Sequence, residues 1–537
     1  MNSTVTNNNS YWHYVQTVLP SINTDTLEKL SIIIANTSWD EPNTSADWNN
    51  IAVVAITEAE QCSDNLTMRS VYLEMAFEAL NNGFEIDGHP ICAAHLALVH
   101  SWLGETSKAL EIAFGTFINS LQDAYTRSED HNPYLIYLFT TNKKLADHDQ
   151  KSLEKVLLSQ NSYQQALFLL TEIISCSQIA FYTSLSQRFL YLANQIWPNS
   201  VNLHLKIGIA NLMNRQAEGI LYLHQARQLA PSYARILQSL YLAYRDLQQL
   251  ELANQWQDFS CQFYQQDNLS PDWKWTQLSA DSLFTYLPFE SDLIIAVEPS
   301  LRSIVTSVLL TEQDWFEKEM EFWRNYIKPG MTVIDVGANV GVYTFSAALK
   351  VGNTGQVLAI EPFSGCVSCL QETCKLNELP WVKIYIGAAS DKNSTVKLLL
   401  HSANELNEII SGEAAADMPS GSFEEVPCFT LDSLIEQENI QQVDFLKMDA
   451  EGHEMAVLAG SQQLITQFAP VILYENIAGS QGSNIEVAQY LESIGYELFY
   501  YQPFLQKLIP VNSPQDFQQL NFIAVPQDKI SMFNLDS

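Results

Sequence analysis

The sequence predicts a chain in two parts: an all-α helical solenoid over residues 56–263, then a doubly wound α/β unit over residues 293–530. Three observations carry this expectation. From Ile56 to Phe263 the apolar residues recur at helical spacing, and strand-like runs are few. Within that span "YLANQIWP" ends at Pro198 and "HQARQLAP" at Pro231, 33 positions later. From Leu293 onward, short apolar runs alternate with longer, partly amphipathic segments, the pattern of strand, loop and helix.

The bulk composition bounds the function classes. The 537 residues suit two or more domains, and 47% hydrophobic with 16% charged residues suits well-cored ones. The formal charge of -34 leaves no basic footprint for gripping nucleic-acid phosphates or an anionic membrane surface. No apolar run reaches the ~18–20 residues of a membrane span. The N-terminus, MNSTVTNNNSYWHY, lacks the basic and apolar regions of a secretory signal. Eight cysteines in 537 residues are too sparse for a disulfide framework. Cys366, Cys369 and Cys374 cluster, but Val367, Leu370 and Cys374 share one helical face, so buried thiols are expected there. The expected compartment is the cytoplasm.

The helical part follows a lead-in over residues 1–55. "SVNLHLKIGIANLMNRQAEGILYL" and "SYARILQSLYLAYRDLQQLELANQW" each follow one of the two prolines as a new amphipathic stretch. Upstream, Ala97, Gly104 and Ala109 sit where two helices would pack and turn. This resembles the tetratricopeptide repeat, whose helix pairs recur with a period of about 34 residues. Stacked units bury their apolar faces together and form a concave surface. The resemblance implies a groove for a protein partner; a solenoid serving only packing or self-association is equally open. Residues 264–292 lose the helical period and gain Pro, Ser and Asp, so the linker is placed there.

In the α/β part, strands are expected at 332–336, 356–360, 382–386, 443–448 and 470–474, with continuous apolar runs that suit a parallel sheet buried on both faces. Two late runs, 497–501 and 522–525, suit an antiparallel hairpin. Residues 401–429 are polar and small, and read as a loop or hairpin inserted before the fourth strand that covers the acceptor.

After the first strand comes Asp335-Val-Gly337-Ala-Asn339-Val-Gly341. The glycines permit a tight turn, and the following helix starts with free N–H groups. Asn339 stands where a dinucleotide loop has its middle glycine, and Gly341 comes one position early. A carboxylate at the strand end, Asp335, repels a pyrophosphate but suits an ammonium, which favours S-adenosylmethionine over NAD. Glu361 ends the second strand and can accept hydrogen bonds from both ribose hydroxyls.

"IKPGMTVIDVGANVGVYTFSAALKVGNTGQVLAIEP", "GAASD", "FTLDSL" and "VDFLKMDAEGHEMAVLAGS" together resemble the FkbM-type methyltransferase family, in order, from about Trp315 to Pro526. The resemblance implies a class I methyltransferase Rossmann-like sheet, S-adenosylmethionine as donor, and transfer to a hydroxyl oxygen, often on a sugar or polyketide. It implies that Asp335, Gly337, Asn339 and Gly341 hold the methionine part and Glu361 the ribose. The loop from Ala388 to Asp391, with Ala389, would lie near the adenine.

"LKMDAEGHE" brings Asp449, Glu451, His453 and Glu454 to the catalytic edge. His453, with an ordinary pKa of about 6.5, is the first candidate for general base, and Asp449 for positioning the acceptor. Glu451 and Glu475 are assigned to the acceptor. His453 as a mere flank of the next helix, and Glu454 as a partner of its dipole, stay open. No metal is assigned, although Asp449, Glu451 and Glu475 are also the oxygen set that Mg²⁺ would take. The expected partners are a small-molecule or glycan acceptor and a protein on the repeats. A protein acceptor held by the repeats, and a scaffold that binds donor without chemistry, are the alternatives.

Overall fold

The computed structural model describes residues 8–62, 64–126, 134–138, 153–159, 161–177, 184–267, 270–291, 293–401, 407–410, 423–478, 482–512 and 519–533. The chain divides into two compact units, Met1–Ile236 and Leu237–Ser537.

The first unit is helix-rich. It opens with α1 (Asn8–Val18), α2 (Thr24–Asn36), α3 (Ser45–Gln61), α4 (Leu66–Asp87), α5 (Pro90–Trp102) and α6 (Thr106–Thr126). Local chemistry marks the starts. Thr44 and Asp47 close a capping box on α3, and Pro90 occupies the first turn of α5. Further helices span Ser162–Ser177, Ser184–Ile196, Val201–Met213 and Gly219–Leu229. Pro198 follows the end of one helix and Pro231 the end of another, as the recurrence predicts. Leu203, Ile207 and Ala210 of Val201–Met213 form an apolar cluster with Leu190 and Ala193.

The second unit takes in the helices Ala234–Asp246, from Leu237 on, and Leu250–Gln266, which the sequence pattern assigns to the solenoid. Gln238 Nε2 donates to Tyr286 O at 2.9 Å, Asp246 Oδ2 accepts from the Leu301 N–H at 2.8 Å, and Gln257 Nε2 donates to Leu278 O at 2.8 Å. Periodicity identifies a helix but not the surface it packs on, which is why the junction read from composition lies later. Strands β1 (Thr285–Phe289) and β2 (Leu293–Val297) form a hairpin. The Ala296 N–H donates to Thr373 Oγ1 at 2.9 Å, which ties β2 to the helix Ser364–Leu376.

The main sheet has eight strands in the order β15-β14-β16-β11-β10-β3-β4-β5. Its parallel members are β3 (Thr332–Val336), β4 (Gln356–Glu361), β5 (Val382–Ile386), β10 (Phe445–Met448) and β11 (Val471–Glu475). Each agrees with an expected strand to within two residues at either end. Ile334, Leu358, Leu446 and Ile472 lie in register across four neighbouring strands, all fully buried. The order runs from β3 to β4 and β5 on one side and to β10 and β11 on the other. A crevice therefore opens at the carboxyl ends of β3 and β10, the usual place for a ligand in such sheets.

A second sheet, β6-β9-β7-β8, is built from β6 (Ala388–Ala389), β7 (Ser394–Leu399), β8 (Glu408–Ile410) and β9 (Phe423–Phe429). The segment expected to be a loop or hairpin thus supplies two strands, while its residues 402–406 and 411–422 lie outside the described ones. The short strands β12 (Ile477–Ala478) and β13 (Gly482–Ser483) pair after β11. The late runs do pair antiparallel, β14 (Tyr496–Gln502) with β16 (Asn521–Pro526). A further strand, β15 (Lys507–Pro510), lies between them in the chain and takes the sheet edge. Cys366 and Cys369 are buried thiols, as expected, and Cys374 is partly buried. Among the described residues no helix is long and apolar enough to cross a membrane.

Candidate active site

A cavity of about 300 Å³ opens at the switch between β3 and β10. Its wall includes Asp335, Gly337, Asn339, Glu361, Ala389, Asp449, Glu451 and Glu475, all expected from the sequence. Gly341 and His453 are not among its lining residues.

The glycine loop is shaped by close backbone approach. Gly337 has φ +74°, and a Cβ there would lie 1.8 Å from Asp449 O. Only glycine lets the ends of β3 and β10 come so near. Gly341 has φ +101° and precedes the helix Val342–Val351; a Cβ there would meet the Phe345 ring at 2.3 Å. Its left-handed backbone makes the turn into that helix. Asn339 takes a left-handed conformation (φ 49°) without being glycine, and its Oδ1 accepts from the Val340 N–H at 2.7 Å.

Glu361, at the end of β4, anchors this loop. Its Oε2 accepts from the Asn339 N–H and its Oε1 from the Phe363 N–H, both at 2.8 Å. Burial pushes its carboxyl up to about 7, against the pull of those two N–H groups. Each oxygen keeps a further lone pair, so the group can still accept from a vicinal diol. Ile360, Pro362, Ala388, Ala389 and Leu398 supply apolar wall beside it.

Asp335 is fully buried. Thr344 Oγ1 donates to its Oδ2 at 2.6 Å, while Oδ1 has no hydrogen-bond partner. Burial raises its pKa, and the Lys447 ammonium 3.9 Å from Oδ1 works against that rise. Lys447 and Asp335 face each other because they are register partners on adjacent strands.

Lys447, absent from the sequence expectation, is central to the geometry. Its Nζ donates to Asp449 Oδ2 at 2.9 Å and lies 4.7 Å from the centre of the Tyr343 ring. Tyr343 Oη donates in turn to Glu317 Oε2 at 2.7 Å. Burial alone would lower the lysine's pKa; Asp449, Asp335 and Glu317 overcome this and raise it, so Nζ stays an ammonium. The sequence carried a partial signal, a lysine inside the apolar run "FLKM"; its burial there demands a carboxylate partner.

At the ends of β10 and β11, one carboxylate oxygen from each of Asp449, Glu451 and Glu475 lies within 4.8 Å of the other two. This is the grouping, among the described residues, whose spacing a divalent cation could bridge. Glu451 reaches it from a left-handed backbone (φ 49°), with Gly452 also left-handed. Such a non-glycine conformation costs free energy and recurs where a side chain is aimed for function. Glu475 Oε2 has no hydrogen-bond partner. Burial, then the neighbouring Asp449, Glu451 and Glu454, raise its pKa strongly.

Glu454 and His453 complete the "DAEGHE" turn. Glu454 is buried, and its Oε1 accepts from the Ala450 N–H at 2.9 Å and the Gly452 N–H at 3.3 Å. It holds the turn that presents Asp449 and Glu451. His453, expected as general base, makes no capping bond to the helix it precedes, and its Nε2 lies 2.9 Å from Ser390 Oγ. Burial lowers its pKa, although Asp391 pulls upward.

Residues 335–498 match the family described as Methyltransferase FkbM domain. Among solved structures, the chain is similar to the methyltransferase FkbM from Methylobacillus flagellatus KT, at 15% identity and TM-score 0.25, over 41% of this chain and 53% of that one. It thus spans about half the length of that protein. A SAM-dependent methyltransferase from Aquifex aeolicus is 16% identical over 39% of this chain and 87% of that one, with TM-score 0.22. A SAM-dependent O-methyltransferase from Thermotoga maritima is 13% identical over 42% and 72%, with TM-score 0.23. No curated protein matches the sequence. The match to the methyltransferase FkbM domain thus lies on the parallel strands, the glycine loop and the acidic turn just described.

Proposed function

We propose that this domain transfers a methyl group from S-adenosylmethionine to a hydroxyl oxygen, with a sugar or another small polyol as acceptor. The observation that carries the reading is one cavity with two chemically distinct sides. On the β4 side, Glu361 offers two acceptor oxygens beside an apolar wall. On the β10 and β11 side, Asp449, Glu451 and Glu475 converge. The sheet order puts these sides across β3 from each other.

The donor's bound sulfonium supplies an electrophilic methyl group. The chain's own residues then do the rest. Glu361 takes the ribose hydroxyls, and the Gly337–Gly341 turn lets the backbone approach. Asp335, buried with a free oxygen beside Lys447, faces the donor's ammonium. Asp449 receives the acceptor hydroxyl's proton as the new bond forms, while Glu451 and Glu475 orient that hydroxyl. His453, away from the lining, lies beside Ser390 just after β6 and is the weaker candidate for base. The helical unit serves docking or self-association.

The test is methylation of a panel of free sugars and small polyols by the wild-type chain and by Asp449→Asn and His453→Gln. The reading expects transfer to a hydroxyl, lost by at least about 100-fold in Asp449→Asn and changed less than about fivefold in His453→Gln. Transfer to nitrogen or carbon only would contradict it. A second reading uses the same three carboxylates to hold a divalent cation that activates the hydroxyl; loss of transfer on chelation, restored by added Mg²⁺, would favour it.

A further inference from the structure

Residues 134–138, Tyr-Leu-Ile-Tyr-Leu, are neither helix nor strand, yet all five are buried. An extended segment inside a helical unit has no ladder to satisfy its backbone. Here side chains from three helices do so. Tyr11 Oη of α1 donates to Ile136 O at 2.9 Å, and Tyr14 Oη to Leu138 O at 2.6 Å. Asn49 Nδ2 of α3 donates to Leu135 O at 2.8 Å, and Asn50 Oδ1 accepts from the Leu135 N–H at 2.7 Å. His95 Nε2 of α5 accepts from the Tyr137 N–H at 3.0 Å.

These groups are themselves held in place. His95 Nδ1 lies 2.8 Å from Asn49 Oδ1, and Asn50 Nδ2 donates to Thr37 Oγ1 at 3.0 Å. Burial lowers the pKa of His95 to about 3, which keeps Nε2 available as an acceptor. Two side chains of the segment find aromatic partners. The Tyr134 ring stacks on His89 with centroids 4.4 Å apart, and its Oη lies 2.9 Å from Ser45 Oγ. The Tyr137 ring stacks on Tyr14 at 4.4 Å and meets the Trp102 ring edge-on at 5.0 Å.

Backbone groups read by fixed side chains, with dedicated pockets for two side chains three positions apart, are the chemistry of extended-peptide recognition. We propose that α1, α3 and α5 form a peptide-docking groove that residues 134–138 occupy in cis. Its partner is an extended polypeptide with aromatic side chains at two positions three apart, which displaces that segment. A tethered occupant competes at an effective concentration on the order of millimolar. Binding to the intact chain is therefore weak, and removal of the occupant strengthens it.

The experiment uses the full chain and a fluorescent peptide with the sequence of residues 132–140. It compares the wild type with a variant carrying Tyr134→Ser, Leu135→Gly, Ile136→Gly, Tyr137→Ser and Leu138→Gly. The peptide is expected to bind the variant at least tenfold more tightly than the wild type. Replacing both peptide tyrosines with alanine should remove that binding. A variant that keeps its helical content and fails to bind overturns the proposal, as does a dimer formed by exchange of the segment between copies. Hydrogen exchange on the unmodified chain decides the matter if the variant does not fold. The Leu135 and Tyr137 amides should exchange at least tenfold faster than core amides of α3 and α5, because the segment opens without unfolding the unit. Equal rates would show that the groove opens only on global unfolding, and would overturn the proposal.

Discussion

At the residue scale, the site is a balance of buried charges. Lys447 compensates Asp449, Asp335 and Glu317, so its removal leaves carboxylates in a low-dielectric wall. Lys447→Met should lower stability by about 3–5 kcal/mol. Denaturant unfolding of the two proteins checks this, and an unchanged midpoint would contradict it. Glu361 and Glu319 are both pushed up to about 7, each chiefly by burial. The sign follows directly. Both groups favour the protonated form in the native state, so their contribution is fully present below the unfolded carboxyl range. It is lost as pH rises through about 7. The free protein should therefore lose stability between about pH 4.5 and 7.5, by at most about 3 kcal/mol per group. Glu361→Gln should flatten part of that slope, measured as melting temperature against pH. Much of this was legible in the sequence: Asp335, Glu361 and Asp449 stand at strand ends, where the topology must bring them together. Lys447 and Glu317 were missed because their importance comes from register and packing. The placement of His453 beside Ser390, outside the cavity lining, was not legible, because it depends on a turn that periodicity does not describe.

At the element scale, two strand ends meeting at a glycine define the crevice. Gly337→Ala puts a methyl group 1.8 Å from Asp449 O and demands a left-handed alanine. It should abolish binding of the methyl donor while leaving the other strands paired, which calorimetry together with circular dichroism would show. At the amino end of β10, away from this turn, Phe445 meets the rings of Phe322, Trp323 and Tyr326 from the helix Glu319–Tyr326. Phe445→Ala should cost about 3–5 kcal/mol, because three rings cannot close the space left by a fourth. The five parallel strands were readable because each is a short, mostly apolar run set between longer segments. The small sheet β6–β9 was not, since β6 is only two residues and β7 and β9 mix polar with apolar residues and are partly exposed.

At the scale of the whole molecule, the compact units divide between Ile236 and Leu237, earlier than the change in composition. The helices Ala234–Asp246 and Leu250–Gln266 carry a solenoid-like pattern, but Gln238, Asp246 and Gln257 bond to the segment from Leu278 to Leu301. A fragment of residues 237–537 should therefore unfold cooperatively, and one of residues 293–537 should melt at least about 5 °C lower or aggregate. That shift corresponds to roughly 2–3 kcal/mol or more in a unit of this size. Equal melting temperatures would contradict the assignment of these helices to the second unit.

The central claim is that the cavity at β3 and β10 holds S-adenosylmethionine through Glu361. Calorimetric titration of the full chain with S-adenosylmethionine, its demethylated product and NAD, beside Glu361→Ala, tests it most directly. The account predicts binding of the two methionine-derived ligands, no binding of NAD, and a loss of at least about tenfold in affinity in the variant. Binding of NAD, or donor affinity unchanged by the loss of Glu361, would contradict it.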